Sequence, residues 1–101
     1  MKTRLDLHEL LCNVLGSRNV YFQPPETVKM KYPAIVYSRS NMDNRFANNT
    51  VYSSQKRYEV TVIDKDPDSG IPDKVNLIPT ARFNRHYTAD NFNHDVFTIY
   101  F

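Results

Sequence analysis

Near the start of the chain, apolar side chains recur every three or four residues, which is the spacing of one helical face. They are Leu7, Leu10, Leu11 and Val14. This pattern predicts a helix over residues 3–15. Thr3 and Asp6 have the spacing of a capping box at its first turn, and Gly16 is suited to end it.

The predicted helix carries more apolar side chains than one contact face needs. Leu5, Cys12 and Leu15 lie beside the main stripe and widen the apolar arc to about 200°, where a single contact face needs about 100°. One interpretation is a helix buried deeply in its own domain. The other is a helix that packs on its own sheet and also on a neighbouring subunit, with these three residues in the contact.

In the middle of the chain the period changes to two residues, which is typical of half-buried strands. The alternating apolar residues are Tyr58, Val60 and Val62. They predict a strand over residues 51–66. Residues 34–40 are rich in β-branched and aromatic side chains and predict a second strand. A short strand over residues 20–23 is expected before two prolines, which end it.

Residues 41–50, with the sequence NMDNRFANNT, separate the two longer strands. Four asparagines and one aspartate make this segment rich in turn-forming side chains. We expect a long hairpin arm or loop that projects from the sheet. Because loops that carry arginine and aromatic side chains are common contact sites, a partner interface is predicted here, with an inert loop as the alternative. The residues assigned to it are Arg39, Asn44, Arg45, Phe46, Asn48 and Asn49.

The segment after the central strand predicts a short helix over residues 69–79. Pro72 is tolerated in a first helical turn, and Pro79 is expected to end the helix. Asp68 or Ser69 is expected to cap its start.

The end of the chain predicts a hairpin with strands over residues 81–87 and 96–101 and a turn, TADNFNH, over residues 88–94. Three residues of its first strand are expected on one face: Phe83, Arg85 and Tyr87. Helix, strands, short helix and hairpin in this order predict one α+β domain over residues 1–101. Its mostly antiparallel sheet is expected to pack against the N-terminal helix and the short second helix.

Composition narrows the class of protein. The chain has 101 residues, a net charge of +2 and one cysteine, which suits a single domain in a reducing compartment. No apolar segment approaches the roughly 20 residues of a membrane span. Asp6 and Glu9 interrupt the apolar start, so a signal peptide is not expected. These features favour a soluble intracellular protein without a membrane partner.

Three aspartates, Asp64, Asp66 and Asp68, occupy alternate positions in the segment DKDPDSG. This spacing suggests a calcium loop, but glycine is expected at its sixth position and glutamate at its twelfth. Ser69 and Val75 stand there instead. The preferred interpretation is a strand exit whose negative charges lie near a helix N-terminus.

The remaining candidate chemistry is sparse. His86, Asp90 and His94 lie in the last hairpin, but their spacing provides no third strong metal ligand. Cys12 is expected to pack rather than react. No phosphate-binding loop, nucleophile elbow or catalytic carboxylate pair is present. We therefore expect no enzyme activity and no cofactor.

Several arginines and lysines lie beside aromatic residues, a combination that serves nucleic-acid binding or protein interfaces. A small nucleic-acid-binding module would use Arg39, Arg45, Lys56, Arg57, Arg82 and Arg85. Since the net charge is only +2, and nucleic-acid-binding domains are usually strongly basic, protein partners are the preferred interpretation.

Two long segments, RYEVTVIDKDPDS at residues 57–69 and DNFNHDVFTIYF at residues 90–101, resemble the tail-completion, or tail-terminator, proteins of long-tailed bacteriophages. The similarity extends to the N-terminal helix, to YPAIVY at residues 32–37 and to the asparagine-rich arm. It covers most of the chain, although its motifs are not catalytic.

The resemblance implies a structural virion protein that forms a ring, expected to be a hexamer, at the head-proximal end of the tail tube. Its partners would be further copies of itself, the tail-tube protein and a head-closure or neck protein. Genomic DNA would pass through the bore without sequence-specific binding. The protein would be assembled in the cytoplasm of the bacterial host. Another head–tail connector, a head-closure protein or a tail-tube subunit is the nearest alternative.

Overall fold

The structure is a computed structural model that describes residues 3–25, 27–47 and 50–101, and within residues 41–55 it describes the backbone alone. Within these residues the chain forms two helices and five strands. In chain order they are α1 (Arg4–Leu15), β1 (Val20–Phe22), β2 (Ala34–Ala47), β3 (Thr50–Asp64), α2 (Ile71–Asn76), β4 (Ala81–Ala89) and β5 (Phe92–Tyr100). They make a single α+β domain, as the sequence predicts.

Helix α1 begins and ends as its sequence predicts. The Thr3 hydroxyl accepts a hydrogen bond from the Asp6 backbone N–H at 3.4 Å, and the Asp6 carboxylate accepts one from the Thr3 N–H at 2.8 Å. This capping box satisfies donors that a helix start leaves without partners. Gly16 has a φ of 82°, and its N–H donates to the Cys12 carbonyl.

The sheet has the strand order β1-β2-β3-β5-β4. β1 is parallel to β2, and the other neighbours are antiparallel. Both helices pack on one surface, here called the helix face. Its buried sheet residues include Ile35, Tyr37, Val60, Val62, Phe97 and Ile99. The predicted alternation in β3 is confirmed, because Tyr58, Val60 and Val62 are all buried.

The opposite surface, here called the back face, carries the residues that alternate with this core. Among them are Val36, Glu59, Thr61, Val96 and Thr98, as the strand register shows. The segment between β1 and β2 runs along this face. Its Lys31 N–H donates to the Tyr21 hydroxyl at 3.2 Å, and the Tyr32 ring centroid lies 4.2 Å from that of Phe92.

Strands β2 and β3 continue beyond the rest of the sheet as a paired ribbon, here called the arm. Asn41–Ala47 pairs with residues 50–57, whereas β5 pairs with β3 only from Arg57 onward. The strand predicted over residues 34–40 is therefore twice as long. The segment predicted as an arm or loop is a hairpin arm in its described part, and the molecule measures 51 Å along its longest axis.

Helix α2 is shorter than the predicted span of 69–79. Pro72 lies in its first turn, and the buried Val75 faces the core. The predicted cap was wrong, because Gly70 occupies the N-cap position and makes no side-chain cap hydrogen bond. The Ser69 hydroxyl instead accepts a hydrogen bond from the Ile71 N–H at 3.3 Å.

The closing hairpin has longer strands and a tighter turn than predicted. Only Asp90 and Asn91 separate β4 from β5, with φ angles of 54° and 66°. Asparagine and aspartate tolerate this left-handed region, which two-residue hairpin turns require. The turn predicted over residues 88–94 was therefore too long.

An irregularity in β4 overturns a second prediction about this hairpin. Phe83 pairs with Phe97, and Arg85 pairs with the next residue back, Val96, so Asn84 forms a β-bulge. The bulge adds one residue and reverses the alternation of side chains. Phe83 consequently lies on the helix face, whereas Arg85 and Tyr87 lie on the back face.

Candidate functional site: a basic cleft at the base of the arm

Four elements meet where the arm leaves the sheet, and they enclose a cleft with a volume of about 360 Å³. The lining residues are Arg4, Phe22, Gln23, Arg39, Lys56 and Tyr58. Arg4 comes from the first turn of α1, and the others come from β1, the residue after it, β2 and β3.

Strand pairing places most of this lining. Tyr58 and Arg39 are direct partners across β2 and β3. Lys56 lies two residues before Tyr58, so it points to the same face of the sheet. Phe22 is the parallel partner of Tyr37. These positions are set by the register alone, and only Arg4 depends on how α1 packs.

Arg4 is held against the wall of the cleft by neutral groups. Its guanidinium carbon lies 4.4 Å from the Phe22 ring centroid, which is a cation–π contact. One of its nitrogens donates to the Tyr37 hydroxyl at 3.2 Å. Neither contact neutralises its positive charge.

The Tyr37 hydroxyl links Arg4 to His8, whose Nδ1 lies 2.8 Å away. Burial, and after it the charges of Arg4 and Arg18, hold the pKa of His8 below its ordinary value of 6.5. A neutral His8 accepts a hydrogen bond from the Tyr37 hydroxyl through Nδ1, and the Tyr37 oxygen accepts one from Arg4. Burial also raises the pKa of Tyr37, so the hydroxyl keeps its proton at neutral pH.

The cleft carries three cations, Arg4, Arg39 and Lys56, and its described lining includes no carboxylate. The ion pairs between described side chains lie elsewhere. Arg18 pairs with Glu9 at 2.9 Å, and Arg85 pairs with Glu59 at 3.7 Å. A concave site with several cations and aromatic walls fits an anionic group, either a carboxylate or a phosphate.

No family model matches this chain. No curated protein matches it either. What the cleft and the arm can bind therefore follows from their own chemistry, and the resemblance of residues 57–69 and 90–101 to phage tail-completion proteins stays a prediction.

The predicted contact surface on α1 divides into buried and exposed parts. Leu5 is 64% exposed, whereas Cys12 is 4% exposed and belongs to the core. Leu15 is partly buried and packs against the same core. The structure therefore shows deep burial for Cys12 and partial burial for Leu15, and among these three residues it leaves Leu5 the most exposed.

Among the predicted contact residues of the arm, Arg39 lies at the cleft, whereas Asn44, Arg45 and Phe46 lie farther along the arm. Arg39 is exposed and lines the cleft. Asn44, Arg45 and Phe46 belong to the β2 half of the arm, opposite Ser54, Ser53 and Val51, where the structure describes the backbone alone. Asn48 and Asn49 lie outside the described residues.

The acidic segment after β3 is organised by its own backbone. One carboxylate oxygen of Asp64 accepts from the Asp66 N–H at 3.1 Å, and one of Asp66 accepts from the Asp68 N–H at 2.9 Å. These are two consecutive Asx turns. Across the described part of the chain, no three His, Cys, Asp or Glu side chains are grouped closely enough to hold a metal ion.

The two histidines of the last hairpin point to opposite faces of the sheet. His86 pairs with Asp95 on the helix face, and its Nε2 lies 3.3 Å from the Asn93 amide oxygen. His94 lies on the back face, where its ring stacks on Tyr87 with a centroid distance of 4.6 Å. The hairpin therefore does not bring these two imidazoles together.

The cations of the nucleic-acid hypothesis are also divided between the faces. Arg39 and Lys56 lie in the cleft. Arg57, Arg82 and Arg85 lie on the back face, as their pairing with Tyr100, Thr98 and Val96 shows. The side chain of Arg45 is not described. These described cations do not form one continuous basic surface.

Sequence reasoning did not find the cleft as a unit. The alternation in β3 predicts that Lys56 and Tyr58 lie on the same face of the sheet. Arg4, which lines the same cleft, is distant from them in the sequence. Nothing in the spacing of residues 4, 22 and 56 indicates that helix packing brings them together.

Proposed function

We propose that this chain is a structural virion protein, a tail terminator of a long-tailed bacteriophage. In this proposal it forms a ring, expected to be a hexamer, that caps the tail tube and joins it to the neck or head-closure proteins. Another connector or a tail-tube subunit is the alternative within the same class. The proposal rests on the resemblance of residues 57–69 and 90–101, and the arm is the structural observation that supports it.

The arm has the architecture of an assembly element. Residues 50–55 of β3 pair with β2 and with no other described strand. A two-stranded ribbon is marginally stable by itself in water. A paired segment of this length therefore gains stability when it lies against another surface, such as a neighbouring subunit.

Charge distribution agrees with a bore that passes DNA. Each phosphate contact adds affinity that depends on salt, and a continuous basic track would hold DNA rather than let it slide. The net charge is +2, and the described cations are split between the two faces of the sheet. Genomic DNA is therefore proposed to pass without specific binding. No described helix is long and apolar enough to cross a membrane.

The test has two parts. Light scattering after size exclusion, with electron microscopy of the same fractions, should show a closed particle near six subunits with a central opening. Purified tail tubes that are still able to grow should then stop growing when the protein is added, with the protein at their ends. Tubes that lengthen unchanged would exclude the terminator role, and incorporation along the tube would favour a tube subunit.

A further inference from the structure

The chain carries an acidic loop at the opposite end of β3 from the basic cleft. It comprises residues 64–68, with carboxylates at Asp64, Asp66 and Asp68 and one cation, Lys65, whose Nζ lies 5.3 Å from the Phe92 ring centroid. Residues 65–68 are exposed. Lys56 in the cleft and Asp64 in the loop are eight residues apart on one strand, or roughly 26 Å. The two charged features therefore lie at opposite ends of the domain.

The acidic loop is pre-shaped for docking. Its two Asx turns and Pro67 restrict the backbone, so little conformational entropy remains to be lost on binding. The side chain of Asp68 takes no part in either turn. The exposed carboxylate of Asp68 has the charge that complements a concave site with three cations.

We propose that the acidic loop of one copy docks in the basic cleft of the next copy, with Asp68 directed at Arg39 and Lys56. This contact joins two different surfaces of the same chain, so it is heterologous and can close into a ring. It rests on the proposed function, for which it supplies the contact between subunits.

A second copy accounts for the cleft better than a nucleic acid does. Arg4 is directed inward to Phe22 and Tyr37, and the cleft is bounded by aromatic rings. Nucleic-acid binding needs cations that follow successive phosphates. Arg57, Arg82 and Arg85 instead lie on the back face, so they do not extend the cleft into such a series. A single stiff loop, in contrast, fits a site of limited extent.

The experiment uses charge reversal on each side of the contact in the full chain. Arg39→Glu alters the cleft and Asp68→Lys alters the loop, and both side chains are exposed. Each variant alone should weaken self-association at least about tenfold, because close charge pairs at interfaces are strongly coupled. Sedimentation velocity over a concentration series measures the change.

Mixing the two variants supplies the decisive comparison. In an equimolar mixture, the native loop of Arg39→Glu meets the native cleft of Asp68→Lys, and the two altered surfaces meet each other with opposite charges. Association should return in the mixture and in the double variant. Lys29→Glu, an exposed change outside the cleft, should leave association unchanged. Arg39→Gln and Asp68→Asn replace the reversals if a melting curve shows that either reversal unfolds the chain.

The other outcomes overturn the proposal. If the wild-type chain forms a ring and neither reversal disrupts it, the contact between subunits lies elsewhere. The proposed loop–cleft contact is then wrong, although the ring itself is supported. Weakened single variants without rescue in the mixture exclude the pairing of this loop with this cleft. A wild-type chain that stays monomeric excludes self-docking, and the tail-tube assay then decides the function separately. If Arg39→Glu lowers duplex DNA binding instead of the particle mass, the cleft is a phosphate site.

Discussion

Strand β3 passes through two different environments within fifteen residues. From Arg57 to Ile63 it has β2 on one side and β5 on the other, and its buried side chains belong to the same core as those of both helices. From Thr50 to residue 55 it is paired with β2 alone. The strand is continuous, but the number of its neighbours changes at the base of the arm.

This difference indicates that the stability of the domain comes from the central half of β3 and not from the arm. Each fully buried large apolar side chain contributes about 1.5–3 kcal/mol relative to exposure, and the central half of β3 buries Tyr58, Val60 and Val62. In the arm, β3 gains only the backbone hydrogen bonds that it makes with β2. The domain should therefore fold without the arm, whereas the arm should depend on the domain and on whatever it contacts.

The largest expected effect lies in the core beside the central half of β3. Phe97 pairs with Val60 and is 1% exposed. Phe97→Ala should lower the free energy of unfolding by about 3–5 kcal/mol, because it removes buried contacts and leaves a cavity. Urea denaturation followed by circular dichroism measures the loss.

Phe83→Ala is the matched control for this change. The Phe83 ring lies 5.5 Å from that of Phe97 but is 54% exposed. Its removal should cost no more than about 1.5 kcal/mol. Equal losses for the two variants would show that the edge strand β4 is buried by an association not present in the single chain.

The same contrast explains which parts of the fold could be predicted from the sequence. Helix α1 and the centre of β3 are buried on one side, so their apolar periods reveal both the element and its orientation. The β-bulge at Asn84 reverses the face of Arg85 without any change in composition. The Gly70 cap and the two-residue turn at Asp90 and Asn91 were missed for a similar reason, since several local residues suited each role.

Less of the cleft than of the fold could be predicted from the sequence. The exposed Arg39 was predicted as a contact residue, and it lines the cleft. Arg4 and Phe22 were not selected, because their approach depends on the packing of α1 over β1 and not on any local pattern. Cys12 was selected for an apolar arc that the core of the domain itself occupies.

A smaller effect is expected at the link between α1 and the sheet. Tyr37→Phe keeps the buried ring and removes the hydroxyl that contacts Arg4 and His8. The free energy of unfolding should fall by about 1–2 kcal/mol, since two polar groups lose their partner. Tyr87→Phe, at a 41% exposed ring, should change little. Equal effects in the two variants would show that this hydroxyl does not stabilise the base of the arm.

The next effect depends on pH. The folded state holds the pKa of His8 below 6.5, so the unfolded chain binds more protons than the folded chain near and below that pH. The contribution of His8 to stability is therefore complete above about pH 6.5 and is lost as the pH falls through the folded-state pKa. His8→Gln should flatten this part of the stability profile, measured by urea midpoints between pH 5 and 8. An unchanged slope in the variant would assign the dependence to other groups.

The smallest effect on unfolding is expected for the arm, and it tests the opening contrast directly. Asp43 and Gln55 are paired, so replacing residues 44–54 with Asn-Gly, a favoured two-residue hairpin turn, shortens the arm and leaves the cleft intact. Since the removed strands contact no other described strand, the free energy of unfolding should change by no more than about 0.5 kcal/mol. Self-association should nevertheless weaken, because the neighbouring subunit loses the surface of the arm. A glycine–serine segment of equal length at residues 44–54 separates the need for a paired arm from the need for chain length. If shortening the arm instead cost more than about 2 kcal/mol, the arm would belong to the stable domain and would not be an element that neighbouring subunits hold in place.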